Sequence, residues 1–250
     1  MKSAAAALAL ALVAGTPAAF AQSDPAAPET CPVSADHVVA NGGLDQSRAA
    51  VAAGRLTILA MGSSSIEGAG ASRPELGFVP LLEAGLERRL PGVEVTVINK
   101  GIGGETAKET ADRLAPEIEA ADPDLVIWQL GTNDMLRDRP MDHVFADFRR
   151  GEAVLDRAAV EVLLIDPQRL PEGTTNPSFR GRNPALGEMA RLIDLEGGRV
   201  GYAVLHRFAA MADWGRLERG GVGPDDLHLN DQGYACWAAV TAEGLAAALR

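Results

Sequence analysis

The chain has 250 residues, 47% of them hydrophobic, which is enough to bury the core of one domain but little more. Its formal net charge of −11 argues against nucleic acid and anionic membrane surfaces as partners, because both need a basic face. No Cys or His spacing indicates a metal site, so we expect neither a metal nor another cofactor. The sequence does not indicate an oligomeric state.

The first 21 residues have the pattern of a secretory signal peptide. Lys2 precedes an apolar stretch at 4–14, and Ala19-Phe20-Ala21 forms a small-x-small cleavage pattern. The stretch is shorter than the roughly 20 residues that span a bilayer, so we expect cleavage near Ala21 rather than a retained anchor. The predicted protein is therefore periplasmic or secreted, without stable membrane insertion.

After residues 1–21, the expected organisation is a leader and N-terminal arm at 22–53 and one domain at 54–250. Residues 33–53 are at best amphipathic and are assigned as a helical arm. Export permits a disulfide between the only two cysteines, Cys31 and Cys236. A buried free Cys236 is the equally weighted alternative.

Strands and helices alternate from residue 56 onward. Continuous or alternating apolar runs predict five strands, at 56–61, 93–99, 124–130, 160–165 and 200–205. The first helix is predicted from Pro80 to the stop at Pro91-Gly92, and the second from the capping box at Thr106, with a break or kink at Pro116. Further helices are predicted at 141–159, 185–195, 208–214 and 233–250, and Gly197-Gly198 closes the one at 185–195. The proline-rich segment 167–184 has no apolar period, and we expect this long loop to wall or cover a crevice.

This alternation predicts an α/β fold with three layers, α/β/α, around a flavodoxin-like five-stranded parallel sheet. Right-handed crossovers favour the strand order 2-1-3-4-5, counted along the chain, in which the first strand is central. Ligands of such sheets bind beyond the carboxyl ends of the strands, so residues that follow strands one and three are the first candidates for a site.

Three stretches contain polar side chains that could act together. The first strand ends in Gly62-Ser63-Ser64-Ser65, the third in Gly131-Thr132-Asn133-Asp134, and Asp225 precedes His228 by three residues near the end of the chain. Nucleophilic ester hydrolysis needs a hydroxyl, an imidazole base, a carboxylate that orients the base, and donors for the oxyanion. Each stretch alone is weak, since Gly-Ser runs are more often flexible turns.

Other interpretations compete at individual positions. His206 is an alternative to His228 as the base, because it ends the fifth strand at the edge of the sheet where ligands bind. The sequence shows no upstream carboxylate partner for it. A classical α/β-hydrolase would carry its serine in a Gly-x-Ser-x-Gly nucleophile elbow. With Ser64 as that serine, the final Gly would stand where this chain has Ile66. A nucleotide-binding protein of this fold would meet the phosphate with the like charge of Glu67. A catalytically silent carbohydrate-binding protein is an alternative of another class.

Taken together and in order, these stretches resemble the blocks of the SGNH subgroup of the GDSL hydrolases, over most of the chain from residue 56 onward. The resemblance implies Ser64 as nucleophile, Asp225 and His228 as its partners, and an oxyanion hole formed by Ser64, Gly104 (in Ile102-Gly103-Gly104-Glu105) and Asn133. Ser63 stands where the family usually has Asp, a departure that does not touch a catalytic role.

The function that this resemblance implies is an exported serine ester hydrolase that works through an acyl-enzyme. Its substrate would be a small-molecule or carbohydrate ester, and removal of O-acetyl groups from carbohydrate is our first expectation. Hydrolysis of short-chain lipid or aryl esters is the alternative within the same chemistry.

Overall fold

The computed structural model describes residues 31–215 and 217–250. The predicted signal peptide and the first part of the leader lie outside the described residues. No helix in the described ranges is long and apolar enough to cross a bilayer.

The centre of the fold is a sheet of six strands in the described part of the chain: β1 (Val38–Ala40), β2 (Arg55–Gly62), β3 (Glu94–Gly101), β4 (Leu125–Gln129), β5 (Glu161–Ile165) and β6 (Ala203–Leu205). They lie in the order β1-β6-β5-β4-β2-β3. Strands β2 to β6 pair in parallel, which confirms the predicted order 2-1-3-4-5 for the five parallel strands. The predicted count of five is wrong, because β1 adds an antiparallel edge beside β6.

The N-terminal arm is only partly helical, so the prediction of a helical arm at 33–53 is wrong for its first half. Ala35–His37 forms one 3-10 turn and β1 follows it, while α1 (Asp45–Ala52) is the helical part. A strand of three residues is too short to show a period of two, so the sequence pattern could not reveal β1. Of the two equally weighted alternatives for Cys31 and Cys236, the structure shows the disulfide, with the two Cα atoms 5.7 Å apart.

Eight further helices follow α1 in the described chain: α2 (Ser64–Glu67), α3 (Phe78–Arg89), α4 (Ala107–Ala121), α5 (Thr132–Leu136), α6 (Met141–Ala158), α7 (Asn183–Val200), α8 (Arg207–Ala212) and α9 (Asp231–Leu249). Of the break or kink predicted at Pro116, the break is wrong, because α4 continues past Pro116. The predicted end of the next long helix at Gly197-Gly198 is also wrong, because α7 continues to Val200. Gly197 is a packing residue, because a Cβ there would lie 2.5 Å from Val204 Cγ2.

The core fills both faces of the sheet. On one face, Ile58 and Ala60 of β2 belong to the apolar cluster that includes α1, α3 and α9. On the other face, Leu59 and Met61 belong to the cluster that includes α4, α6 and α7. Burial on both faces explains the uninterrupted apolar run of β2. The parallel pairing of β2 with β4 places the carboxyl ends of both strands at the same edge of the sheet.

Candidate active site

Ser64 is the first residue of α2 and follows directly on the turn that ends β2. The turn is fixed from β4, because the buried Gln129 Oε1 accepts hydrogen bonds from Ser63 N (3.1 Å) and Ser63 Oγ (3.0 Å). It is also fixed from β3, since a Cβ on Gly101 would lie 2.1 Å from Glu67 N. Buried sheet neighbours therefore determine where Ser64 lies.

His228 joins Ser64 to Asp225 through its two ring nitrogens. Nε2 lies 3.1 Å from Ser64 Oγ, and Nδ1 lies 2.5 Å from Asp225 Oδ2. Asp225 Oδ1 also accepts from the backbone N–H groups of Leu227 and His228, each at 3.0 Å. Burial alone would raise the pKa of Asp225, but the hydrogen bonds from the His228 ring and these N–H groups hold it below its ordinary value. Asp225 is therefore a carboxylate that orients the ring.

The turn with His228 packs against the loop that follows Ser64. At Gly70, where φ is +94°, a Cβ would lie 2.8 Å from His228 Cβ and 2.5 Å from the carbonyl oxygen of Leu229. The Tyr234 hydroxyl, from α9, donates to the Ala69 carbonyl at 2.6 Å. The absence of a side chain at Gly70 lets the two loops approach closely enough for His228 to reach Ser64.

Asn133 lies beside the segment that contains Gly104. Its Nδ2 donates to the carbonyl of Glu105 at 2.9 Å. The fully buried Asp134 accepts from Ala107 N at 3.0 Å, which joins the start of α4 to α5. Gly104 has a φ of +81°, a conformation that favours glycine. Ser64, His228, Gly104 and Asn133 are all half-buried, so they remain within reach of a ligand.

His206, the alternative to His228 as the base, pairs with Asp194 and not with Ser64. Its Nε2 lies 2.9 Å from Asp194 Oδ1, so the prediction that it lacks a carboxylate partner upstream is wrong. The pair links α7 to the start of α8, whereas the hydrogen bond to Ser64 Oγ comes from His228. In residues 31–215 and 217–250, no group of three or more His, Cys, Asp and Glu side chains could hold a metal ion.

Residues 169–175 of the segment 167–184 line a cavity of about 520 Å³, together with residues between Met211 and Asp226. Pro224 and Asp226, on either side of Asp225, line this cavity, while Ser64 and His228 do not. Thr174 Oγ1 donates to Asp226 Oδ2 at 2.8 Å. The segment therefore supports the Asp225–His228 turn, and the expectation that it covers the crevice stays a prediction.

The model of the Non-GDSL lipase-like family matches residues 30–243, most of the chain. The chain belongs to that family. This confirms the predicted relationship to the SGNH and GDSL hydrolases. The description Non-GDSL agrees with the sequence at Ser63, which stands where the GDSL motif usually has Asp. The Ser63 hydroxyl donates to Gln129 Oε1.

Proteins similar to this Non-GDSL lipase-like chain include an esterase and a lipase/acylhydrolase. An acetylxylan esterase of Geobacillus stearothermophilus is 32% identical over 150 residues, which cover 52% of this chain and 67% of that protein. A lipase/acylhydrolase from Enterococcus faecalis has a TM-score of 0.63 at 24% identity, covering 77% of this chain and 96% of its own. The family and the acetylxylan esterase together confirm the prediction of a carboxylic ester hydrolase.

A two-domain esterase active on acetylated mannans, co-crystallised with mannopentaose, also shares the fold. Its TM-score is 0.64 at 24% identity, and the match covers 87% of this chain. The chain spans 57% of the length of that two-domain protein.

Three buried side chains near Ser64 were missed in the sequence: Gln129, Gln168 and Arg207. Gln129 ends the otherwise apolar strand β4, and a lone polar residue in a buried strand is a usable signal. Gln168 and Arg207 follow β5 and β6, and nothing in the sequence pattern around them indicates that they lie together.

Proposed function

We propose that this family member hydrolyses esters through a covalent acyl-enzyme formed on Ser64. The supporting observation is the hydrogen-bonded chain from Ser64 Oγ through His228 to Asp225. His228 Nε2 takes the proton of Ser64 as the hydroxyl attacks the ester carbonyl, and then gives it to the leaving alcohol. Asp225 holds the ring with Nδ1–H directed at itself and stabilises the imidazolium. Water then attacks the acyl-enzyme, with His228 taking its proton and returning it to Ser64 as the acid is released.

The developing oxyanion is bound by three donors in this proposal: the backbone N–H groups of Ser64 and Gly104 and the side-chain amide of Asn133. The Asn133 amide carries two N–H groups, and one of them donates to the carbonyl of Glu105. That bond orients the amide, and the other N–H serves the oxyanion. Donors fixed before the reaction stabilise the charge without reorganisation.

The proposed substrate is an O-acetylated carbohydrate. The name of the acetylxylan esterase relative and the activity of the acetylated-mannan esterase support this class, although each describes only that protein. We propose that the chain is exported to the periplasm or beyond. The Cys31–Cys236 disulfide supports export, because disulfides persist in oxidising compartments.

The test compares acetate release from acetylated xylan and mannan oligosaccharides with hydrolysis of 4-nitrophenyl acetate, butyrate and octanoate. Ser64→Ala is the matched control for non-enzymatic hydrolysis. We expect the highest kcat/KM on the acetylated oligosaccharides. A preference for octanoate with no acetate release from sugars would instead favour the lipid or aryl ester alternative. Sugar binding without hydrolysis of any ester would identify a catalytically silent protein.

A further inference from the structure

Arg207 is a fully buried cation directly behind the Ser64 turn. Its guanidinium lies 3.9 Å from the ring centre of Trp237, and its Nη2 donates to Gln168 Oε1 at 3.0 Å and to Ser65 Oγ at 3.4 Å. Within the described chain, Nε and Nη1 have no hydrogen-bond partner. Burial lowers its pKa to about 10, so it stays charged at neutral pH. Arginine is almost never buried so completely unless it is paired, which suggests a use for the charge.

That charge fixes the orientation of the buried Gln168 amide. Arginine carries only donors, so the amide atom that faces it must be the oxygen. Ser65 Oγ donates to the same oxygen at 3.3 Å. The amide nitrogen must then point the other way, and Nε2 donates to the carbonyl of Leu227 at 2.5 Å. The Leu227 carbonyl can only accept, so it favours the same orientation, and Arg207 and Leu227 together keep the amide from rotating.

The Leu227 carbonyl belongs to the peptide unit that precedes His228. Gln168 donates to the C=O of this unit, and Asp225 Oδ1 accepts from its N–H, which belongs to His228, at 3.0 Å. The peptide unit is therefore hydrogen-bonded on both sides. One amide group thus bridges Ser65, the neighbour of Ser64, and Leu227, the neighbour of His228. These contacts join segments that are 103 and 59 residues apart in sequence.

We propose that Gln168, oriented by Arg207, is a positioning residue that holds His228 at hydrogen-bond distance from Ser64. The proposal rests on the roles of Ser64 and His228 stated above. It requires that the Nε2–H donor of Gln168 matters for turnover, beyond any contribution of the side chain to stability.

Gln168→Glu separates these two contributions. A carboxylate still accepts from Arg207 and Ser65 and neutralises the buried charge, which offsets the repulsion between its second oxygen and the Leu227 carbonyl, so we expect an unfolding temperature close to that of the wild type. It cannot donate to Leu227, so kcat for 4-nitrophenyl acetate should fall about 10- to 100-fold, with KM changed less than about 2-fold. Asn183→Asp is the matched control, because Asn183 bonds to Leu170 in the same segment and does not contact the turn.

A second readout needs no substrate. The proton between His228 Nδ1 and Asp225 should give a far-downfield NMR resonance, which shifts or broadens in Gln168→Glu and is unchanged in Asn183→Asp. This readout survives even if acetylated sugars prove not to be substrates. If Gln168→Glu does not fold, Gln168→Met removes the same donor without adding charge and should lower kcat similarly. Wild-type kcat and resonance in the variant that folds, or losses that only follow the folded fraction, would overturn the proposal.

Discussion

The turn that carries Ser64 and the turn that carries His228 are built differently. The Ser64 turn lies between a strand buried on both faces and a short helix, and the buried Gln129 and the close approach of Gly101 fix it. The His228 turn lies in a stretch with little regular structure, and Asp225 is exposed. Its supports come from distant parts of the chain, namely Gly70 and Gln168.

This difference indicates which half of the site is sensitive to changes elsewhere. The position of Ser64 follows from sheet pairing, which the whole core stabilises. The position of His228 depends on a few hydrogen bonds and one steric contact, each of which a single substitution removes. Single substitutions at Gly70 or Gln168 should therefore displace His228 and leave the Ser64 turn in place.

The largest expected effect is that of Ser64→Ala, which should lower kcat by about 10⁶-fold, whereas Asp225→Asn should lower it by about 10⁴-fold. The double variant Ser64→Ala/His228→Ala should be no slower than Ser64→Ala, because the groups act as one unit. Steady-state kinetics on 4-nitrophenyl acetate measures each. Inactive Ser63→Ala or Ser65→Ala beside an active Ser64→Ala would move the nucleophile to a neighbouring serine.

The two turns also differ in how far the sequence predicts them. The apolar run before Gly62 places a serine at the end of a central strand, so the sheet order and the Ser64 turn follow from pattern and crossover rules. The contact of Gln168 with Leu227 joins loops without periodicity, and the Asp194 partner of His206 lies on a neighbouring helix. Periodicity describes local structure and burial, and it contains no information about such pairings.

Asn133→Ala should lower kcat by roughly 100- to 1,000-fold, the usual cost of one oxyanion donor, with little change in KM. The same substitution removes the bond to the Glu105 carbonyl, so thermal unfolding should be measured beside the kinetics. A raised KM at unchanged kcat would make Asn133 a substrate-binding residue instead.

Gly70→Ala tests the steric support of the His228 turn. The new Cβ would collide with His228 Cβ and the Leu229 carbonyl, and the resulting displacement should lower kcat about 10- to 100-fold. Gly92→Ala is the matched control, because Gly92 also has a positive φ of +86° but a Cβ there would meet nothing within 4 Å. Both variants should lose roughly 1 to 3 kcal/mol from the strained backbone. Equal kcat in the two variants would contradict the steric argument.

An effect on stability rather than on turnover distinguishes two carboxylates, Asp166 and Asp225, by the sign of their pH dependence. Burial raises the pKa of Asp166, and the hydrogen bond from the Phe208 N–H and the charge of Arg207 offset this rise only in part, so the resulting pKa is about 8. The pKa of Asp225 is lowered instead. The fold therefore keeps a proton on Asp166 that the unfolded chain releases above about pH 4, and this contribution to stability is lost as pH rises towards 8. The contribution of Asp225 is lost in the opposite direction, as pH falls through its lowered pKa.

Urea unfolding at a series of pH values measures both contributions. Relative to the wild type, Asp166→Asn should flatten the decline between about pH 5 and 8, which for one group is at most about 1.4 kcal/mol per pH unit. The variant keeps the side-chain oxygen that accepts from Phe208 N at 2.8 Å. Asp225→Asn should leave that range unchanged and flatten the acid decline. If Asp166→Asn left the alkaline side of the profile unchanged, Asp166 would be ionised in the fold, and its charge would then offset the buried Arg207.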